Sequence, residues 1–342
     1  MKNCTNCGGK LFFSPKDKGN KCEQCGSVFP IEYNYEFVKK PFEENLDQGV
    51  DELAKQLKSM RCKSCGATVM LNKYQMQANC PYCGNSDIAE CRNKKIMHID
   101  SIIPFAFGKA EAVTRFKRAV KGRFYANTKI FKNLTVDNIN GAYVNAFVFD
   151  MNTSNFYSGT LSYTITERNE EGNSKTRVVY KNVSGNLDKD FKNIAIEVNS
   201  NLDQSELLQI MPFEYGSAVA FDKEFMHDYM LEYQDKLFKD CVDQVEKIIK
   251  RELEKTILKR YNCDRIVKLD LNTNYTDRKY NYCLLPVYFV TKEYKDKKYR
   301  VVMNGQSGKV GDLPKNVWRI VLSLLLVCGF VVAIIFLIMY FS

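Results

Sequence analysis

The strongest pattern in the chain is a single uninterrupted one: from Ile320 to Phe341 there are twenty-two positions without a charge. As a helix this run spans about 33 Å at 1.5 Å per residue, enough for a hydrocarbon core of about 30 Å. Trp318 and Tyr340 stand near its two ends, where amphipathic rings favour the membrane interface. Upstream the periodicity changes in kind several times. Leu46, Val50, Leu53 and Leu57 recur at three- and four-residue spacing, which predicts a helix over 43–60. Ala112, Val113, Phe116 and Val120 predict a second over 109–120. Alternation then takes over and predicts strands at 142–149, 156–167, 175–183 and 194–198. Asn169-Glu-Glu-Gly172-Asn supplies a hairpin turn between the middle two, since Gly and Asn accept positive φ.

A long helix is predicted over 222–260, with Phe238, Cys241, Val245, Ile248, Ile249, Leu253 and Ile257 on one face. It carries only about two to three regular heptads, so packing on the sheet is preferred to a coiled-coil arm. A last hairpin joins 282–292 to 299–303 around Lys295-Asp-Lys-Lys298. The turn Asn304-Gly-Gln-Ser-Gly308 and a short linker, Gly311-Asp-Leu-Pro314, lead to the apolar run. Lys309 after Gly308 does not make a phosphate-binding loop: that loop needs four residues between its glycines and a Ser or Thr after the Lys.

Composition adds an orientation. The 342 residues carry 50 Lys+Arg against 40 Asp+Glu, a net charge of +10, at a mean hydropathy of -0.34. Such a charge invites a nucleic-acid or acidic-membrane partner. However, 20 basic and 11 acidic residues fall within 236–319, so +9 of the excess lies just before the apolar run. With Lys309, Lys315 and Arg319 on that side and only Ser342 beyond, the positive-inside rule places the N-terminal bulk in the cytoplasm. The start, Met1-Lys-Asn-Cys-Thr-Asn-Cys, has no apolar stretch of the secretory kind. The expectation is a single-pass protein of the cell membrane with a C-terminal anchor in the lipid bilayer.

The thirteen cysteines point to chemistry. Cys4-x-x-Cys7 is followed after fourteen residues by Cys22-x-x-Cys25, and Cys62-x-x-Cys65 after the same interval by Cys80-x-x-Cys83. Two C-x-x-C turns close a tetrahedron of four thiolates around Zn2+, and Gly8, Gly26, Gly66 and Gly84 let each turn fold back over the metal. A closed Cys4 site keeps no open position, so the expected cofactors are two structural zinc ions. Iron and a redox dithiol are the alternatives for these frames. Cys91 is a spare thiol, and Cys241, Cys263, Cys283 and Cys328 read as small apolar residues.

Neither ribbon carries a dense basic and aromatic face, and the segment from Val69 to Gln77 is mostly apolar and neutral, better suited to packing than to phosphates. His98 and His227 are far apart, and no nucleophile elbow, H-E-x-x-H or paired-carboxylate pattern accompanies them. The chain is therefore expected not to be an enzyme. The predicted architecture is α+β: first zinc ribbon 1–30, helical linker 31–59, second zinc ribbon 60–90, a mixed β-rich α+β cytoplasmic domain 91–314, and a transmembrane helix 317–341.

Lys58-Ser-Met-Arg-Cys-Lys-Ser-Cys-Gly66, Cys80-Pro-Tyr-Cys-Gly84, Ile103-Pro-Phe105, Ile139-Asn-Gly-Ala-Tyr143, Val148-Phe-Asp150, Met211-Pro-Phe213, Leu285-Pro-Val-Tyr288 and Tyr299-Arg-Val-Val-Met-Asn-Gly-Gln-Ser-Gly-Lys309 form a set of short motifs. Together they resemble a family of zinc-ribbon membrane proteins of Gram-positive bacteria, some members of which have been labelled replication helicases. The extra N-terminal ribbon and the anchor are similar to Bacillus members encoded beside phage-shock protein A and a flotillin-like SPFH protein. That resemblance implies a membrane adaptor recruiting the SPFH protein, and phage-shock protein A, in envelope stress. It does not imply a helicase, because no Walker A or DEAD-type motif is present. The family has a Pro and a Trp where this chain has Asn145 and Phe147. A membrane-tethered nucleic-acid binder using the ribbons is the alternative reading.

Overall fold

The computed structural model describes residues 3–31, 36–42, 57–72, 79–92, 97–168, 174–199, 201–226 and 229–341. The predicted α+β class is what it shows, with two cysteine clusters, a large sheet and a C-terminal apolar helix. The first ribbon is a small antiparallel sheet of β1 (Leu11–Ser14), β2 (Gly19–Cys22) and β3 (Val28–Pro30). Next come β4 (Lys40–Pro41), β5 (Leu57–Cys62), β6 (Thr68–Asn72), β7 (Ile88–Glu90), β8 (Ser101–Ile102) and helix α1 (Lys109–Gly122). The helix predicted over 43–60 is corrected at its end. Residues 43–56 lie outside the described ones, but Leu57 to Met60 are strand. Leu57 and Ser59 are buried and Lys58 and Met60 lie half-exposed, a period of two in which only Leu57 also belongs to the helical pattern.

Strands β9 (Ile139–Arg168) and β10 (Ser174–Glu197) each fuse two predicted strands into one. The gap between the predicted halves of β9 is polar, which hid it. Thr153 and Asn155 are buried there, their side chains bonding the carbonyls of Lys189 at 2.9 Å and Leu187 at 2.6 Å. The turn at 169–173 lies outside the described residues. After α2 (Gln204–Ile210), which was not predicted, come β11 (Val219–Ala220), β12 (Met230–Glu232) and α3 (Phe238–Tyr261). The long helix predicted over 222–260 is thus shorter. Its first part is a 3-10 turn at Lys223–Met226 followed by β12, and Asp240 accepts the Leu237 amide where α3 starts. Asn262, in the left-handed region, stops it. Strands β13 (Arg265–Tyr294) and β14 (Lys297–Asn304) form the last hairpin, with Lys295 and Asp296 both at positive φ as a two-residue primed turn requires. Helix α4 (Val317–Phe341) ends the chain.

The large sheet runs β11-β8-β13-β9-β12-β6-β5-β7, with β10 also on β9 and with β14 and β4 on β13. Strand β12 is the joint: Met230 pairs with Ala142 in parallel, while Leu231 pairs with Met70 antiparallel. The second ribbon is therefore continuous with the sheet of the 91–314 region. Both faces of the sheet's base are covered, so β9 and β13 are apolar on both sides there. Tyr143, Phe147 and Phe149 face a core shared with α1 and α3, and Ala142, Val144, Ala146 and Val148 face α2 and the second ribbon.

Beyond Asp150 the sheet thins to a three-stranded blade of β10, β9 and β13. Register shifts in β10 (Phe191/Ile194) and β13 (Thr276/Lys279) flank the same point of β9. The Asp150 carboxylate accepts the bulged Asn193 amide at 2.8 Å and the Lys39 ammonium at 2.6 Å, which gives the aspartate of Val148-Phe-Asp150 its place. Helix α3 lies along one face of the blade, burying Cys241, Val245, Ile249, Leu253 and Ile257, each four residues from the last, with Leu253 fully buried. Arg260 fixes its end against the Tyr157 hydroxyl at 3.1 Å and the Asn186 carbonyl at 2.9 Å.

Candidate metal centres

Four short loops do the same thing. In each, the amide of the first cysteine donates five residues ahead: Cys4 to Gly9 at 2.8 Å, Cys22 to Ser27 at 2.9 Å, Cys62 to Ala67 at 2.9 Å and Cys80 to Asn85 at 2.8 Å. The glycine after the second cysteine donates back to the first, as Gly8 does to Cys4 at 2.8 Å. Gly8, Gly26, Gly66 and Gly84 sit at φ between 72° and 79°. At the first three a Cβ would meet nothing, so the backbone angle and not space demands glycine.

The loops meet in pairs, and all eight predicted ligands fall into two groups of four. Cys4, Cys7, Cys22 and Cys25 form one; Cys62, Cys65, Cys80 and Cys83 form the other; within each the sulfurs lie within 4.8 Å of one another. The Cys4–Cys25 and Cys7–Cys22 sulfurs are 3.5 Å apart, and the Cys62–Cys83 and Cys65–Cys80 sulfurs 3.6 Å. A tetrahedron with metal–sulfur bonds of about 2.3 Å has edges of about 3.8 Å, whereas a disulfide needs about 2.05 Å. The donor set therefore fits a tetrahedral ion and not a pair of disulfides. In both groups two thiols are buried. The thiols differ in acidity. The Ser27 hydroxyl and then its amide lower Cys25 to about 6. Cys7 is pushed up to about 12: the Gly9 amide acts to lower it, and the Cys25 and Cys22 thiols outweigh that effect. Burial raises Cys80. Binding a cation must displace the protons of Cys7 and Cys80, whereas Cys25 is already poised as a thiolate.

The two centres are mounted differently. The first has its own small core of Cys4, Leu11 and Cys22, and touches the body through Phe13, whose ring meets Phe225 edge-on at 5.2 Å. The second is built into the sheet. Tyr82, between Cys80 and Cys83, packs on Phe289 at 4.9 Å and donates its hydroxyl to Glu232 of β12. Glu232 is wholly buried, and its other carboxylate oxygen has no partner. Burial above all raises its pKa well beyond the ordinary 4.5, so folding favours the neutral acid. Beside it, buried Glu197 pairs with Lys236 and is also raised by burial. Asn145 donates to the Glu232 carbonyl at 2.9 Å. Sequence reasoning missed this polar junction. Glu232 sits in a run of mixed polarity, and Tyr82 stood out only as part of a cysteine loop.

The distinctive segment from Asn304 to Lys309 is explained by the same geometry. The Asn304 amide donates to Lys309 at 2.9 Å, Gly308 donates back to Asn304 at 2.9 Å, and Gly308 has φ 80°. Asn304 stands where a first cysteine would, and its side-chain oxygen accepts the amides of Gln306 and Ser307 at 2.8 and 2.9 Å. Its amide group donates to Ile210 and Pro212 at 3.0 and 3.2 Å. This is a cysteine knuckle's backbone with an asparagine in the first cysteine's place, a turn as predicted. Of the isolated cysteines, Cys241 and Cys283 are buried, Cys263 and Cys91 are half-buried, and Cys328 is exposed on α4. His98 is exposed, and His227 lies outside the described residues.

Among curated proteins, the chain is similar to one from Bacillus subtilis (strain 168) described as uncharacterized protein YdjG, at 23% identity over 218 residues. The aligned stretch covers 62% of each protein, so the chain spans less than two thirds of that relative. No protein-family profile matches the chain, and no solved structure does.

Proposed function

We propose that the chain is a membrane-anchored adaptor whose two ribbons each hold a structural zinc ion. Zinc is favoured over other cations because four thiolates at tetrahedral spacing, with no carboxylate or imidazole among the described residues joining either group, suit a soft ion with no preferred d-electron geometry. Anchoring is favoured by α4, which is long and apolar enough to cross a bilayer and has none of its apolar stretch buried against the body. The basic residues preceding it favour a cytoplasmic position for the ribbons and sheet at the cell membrane.

The observation that carries the adaptor reading is the pairing of two closed thiolate centres with a broad sheet and one span. Such centres stiffen docking surfaces and leave no coordination position for a substrate. By the resemblance above, the recruited partners are an SPFH/flotillin-like protein and phage-shock protein A, in envelope stress. Affinity purification from detergent-solubilised membranes tests this. The intact chain should bring down an SPFH-type protein, and a chain lacking residues 1–30 should bring down less. If no such partner appears and the deletion changes nothing, the adaptor reading fails. A steep loss of DNA retention with rising salt in a filter-binding titration would favour the nucleic-acid reading instead.

A further inference from the structure

Beyond β14 the chain does not leave the body as a free linker. Val310 bridges Met303, the Gly311 amide donates to Val302 at 2.9 Å, and both Val310 and Leu313 are buried. The Arg123 guanidinium donates to the carbonyls of Val310 and Gly311. Ala126 bridges Lys315, the Asn127 amide donates to Pro314 at 2.8 Å, and the Asn316 amide donates to Tyr125 at 2.7 Å. Helix α4 starts at the next residue, Val317. The base of the helix is thus tied by backbone bonds to the segment that follows α1.

That segment has the composition of a bilayer surface contact. From Lys121 to Val136 the chain carries Lys121, Arg123, Lys129 and Lys132 and no acidic residue. Lys129 and Lys132 are exposed, and Phe124 is 63% exposed, two residues from the Ala126 bridge. An exposed phenylalanine alone means little. One tied beside the first turn of a spanning helix lies next to the headgroup layer, where aromatic rings are favoured. Trp318, 83% exposed, lies in that same turn. Strand register agrees. Residues 310–311 run antiparallel to β14, back towards Lys297, and Ile139, where β9 begins, pairs with Val290 at that end. From there β9 runs about 100 Å of strand path at 3.3 Å per residue, carrying the blade away.

We propose that the segment from Lys121 to Val136 is a second membrane contact, with Phe124 in the interface and Lys129 and Lys132 on anionic lipid headgroups. The body is then held in one orientation, with the blade directed away from the lipid. The proposal rests on the reading of α4 as a span, and the test separates the two.

The full chain carrying Trp318→Phe is reconstituted into phosphatidylcholine vesicles and into equimolar phosphatidylcholine–phosphatidylglycerol vesicles, with one tryptophan reporter at a time. The reporters are Phe124→Trp, Tyr180→Trp on the far part of the blade, and Phe330→Trp in α4. Quenching is by lipids labelled near the headgroup or deep in the acyl chain. In anionic vesicles the shallow label is expected to quench position 124 about threefold more than position 180, and Lys129→Glu with Lys132→Glu to remove most of that difference. The deep label is expected to quench position 330. If position 330 is quenched while 124 is as unquenched as 180, the surface contact is wrong and the span stands. If 330 is unquenched by the deep label, both are wrong. Equal quenching of 124 in neutral and anionic vesicles would contradict the headgroup contact.

Discussion

Replacing Glu232 by Gln probes the junction between the second centre and the sheet. In the fold the carboxyl is wholly buried and its pKa lies well above the ordinary 4.5; in the unfolded chain it returns to that value. Folding therefore binds a proton. The associated stability is fully present below 4.5 and is lost as pH rises towards the folded-state pKa, at about 1.4 kcal/mol for each pH unit. Glu197 is raised too, so the wild-type slope contains both groups, and the variant should lose one proton's share. Gln keeps an oxygen to accept the Tyr82 hydroxyl, and its amide adds an offset that does not titrate. Urea unfolding of the detergent-solubilised chain, followed by tyrosine circular dichroism at pH 5.5 and 6.5, measures the slope. The wild type is expected to lose more stability than the variant over that interval, by at most about 1.4 kcal/mol. Thiol titration is common to both proteins and cancels. Parallel profiles would refute the reasoning, because they would mean that Glu232 is ionised in the fold.

Other outcomes follow from the packing. Leu253→Ala, in the fully buried stripe of α3, should cost about 2–5 kcal/mol in the same unfolding assay. Asn304→Ala removes the acceptor of two amides and the donor to two carbonyls, and should cost about 1–3 kcal/mol and loosen α2 in hydrogen exchange. Cys22→Ser should raise hydrogen exchange within residues 3–31 and leave β12 unchanged. Cys80→Ser should raise it in β5, β6 and β12, since the second centre is continuous with the sheet. Equal responses to the two cysteine changes would contradict that difference in mounting.

The cysteine centres were fully legible, because a thiolate at fixed spacing beside a glycine is a local signal that needs no tertiary context. Helix α1 was legible as well, since its buried face recurs at helical spacing. The long strands were recognised only in pieces. Their polar middles pair through the backbone, and Thr153 and Asn155 are satisfied by carbonyls of the next strand, which no local pattern reveals. The 43–60 and 222–260 predictions failed where they met β5 and β12, short strands held by partners distant in sequence. The tie between residues 123–127 and 310–316 was invisible for the same reason: it consists of backbone bonds between unpatterned segments.

The central claim is that two closed thiolate centres hold metal on this anchored chain, and metal content per chain tests it most directly. Elemental analysis of the full chain, purified in detergent without added metal, should find two zinc ions per chain, one in Cys22→Ser or Cys80→Ser, and none in the double variant. A chain that is folded with no bound metal, or whose eight cysteines are recovered as disulfides, would contradict the account.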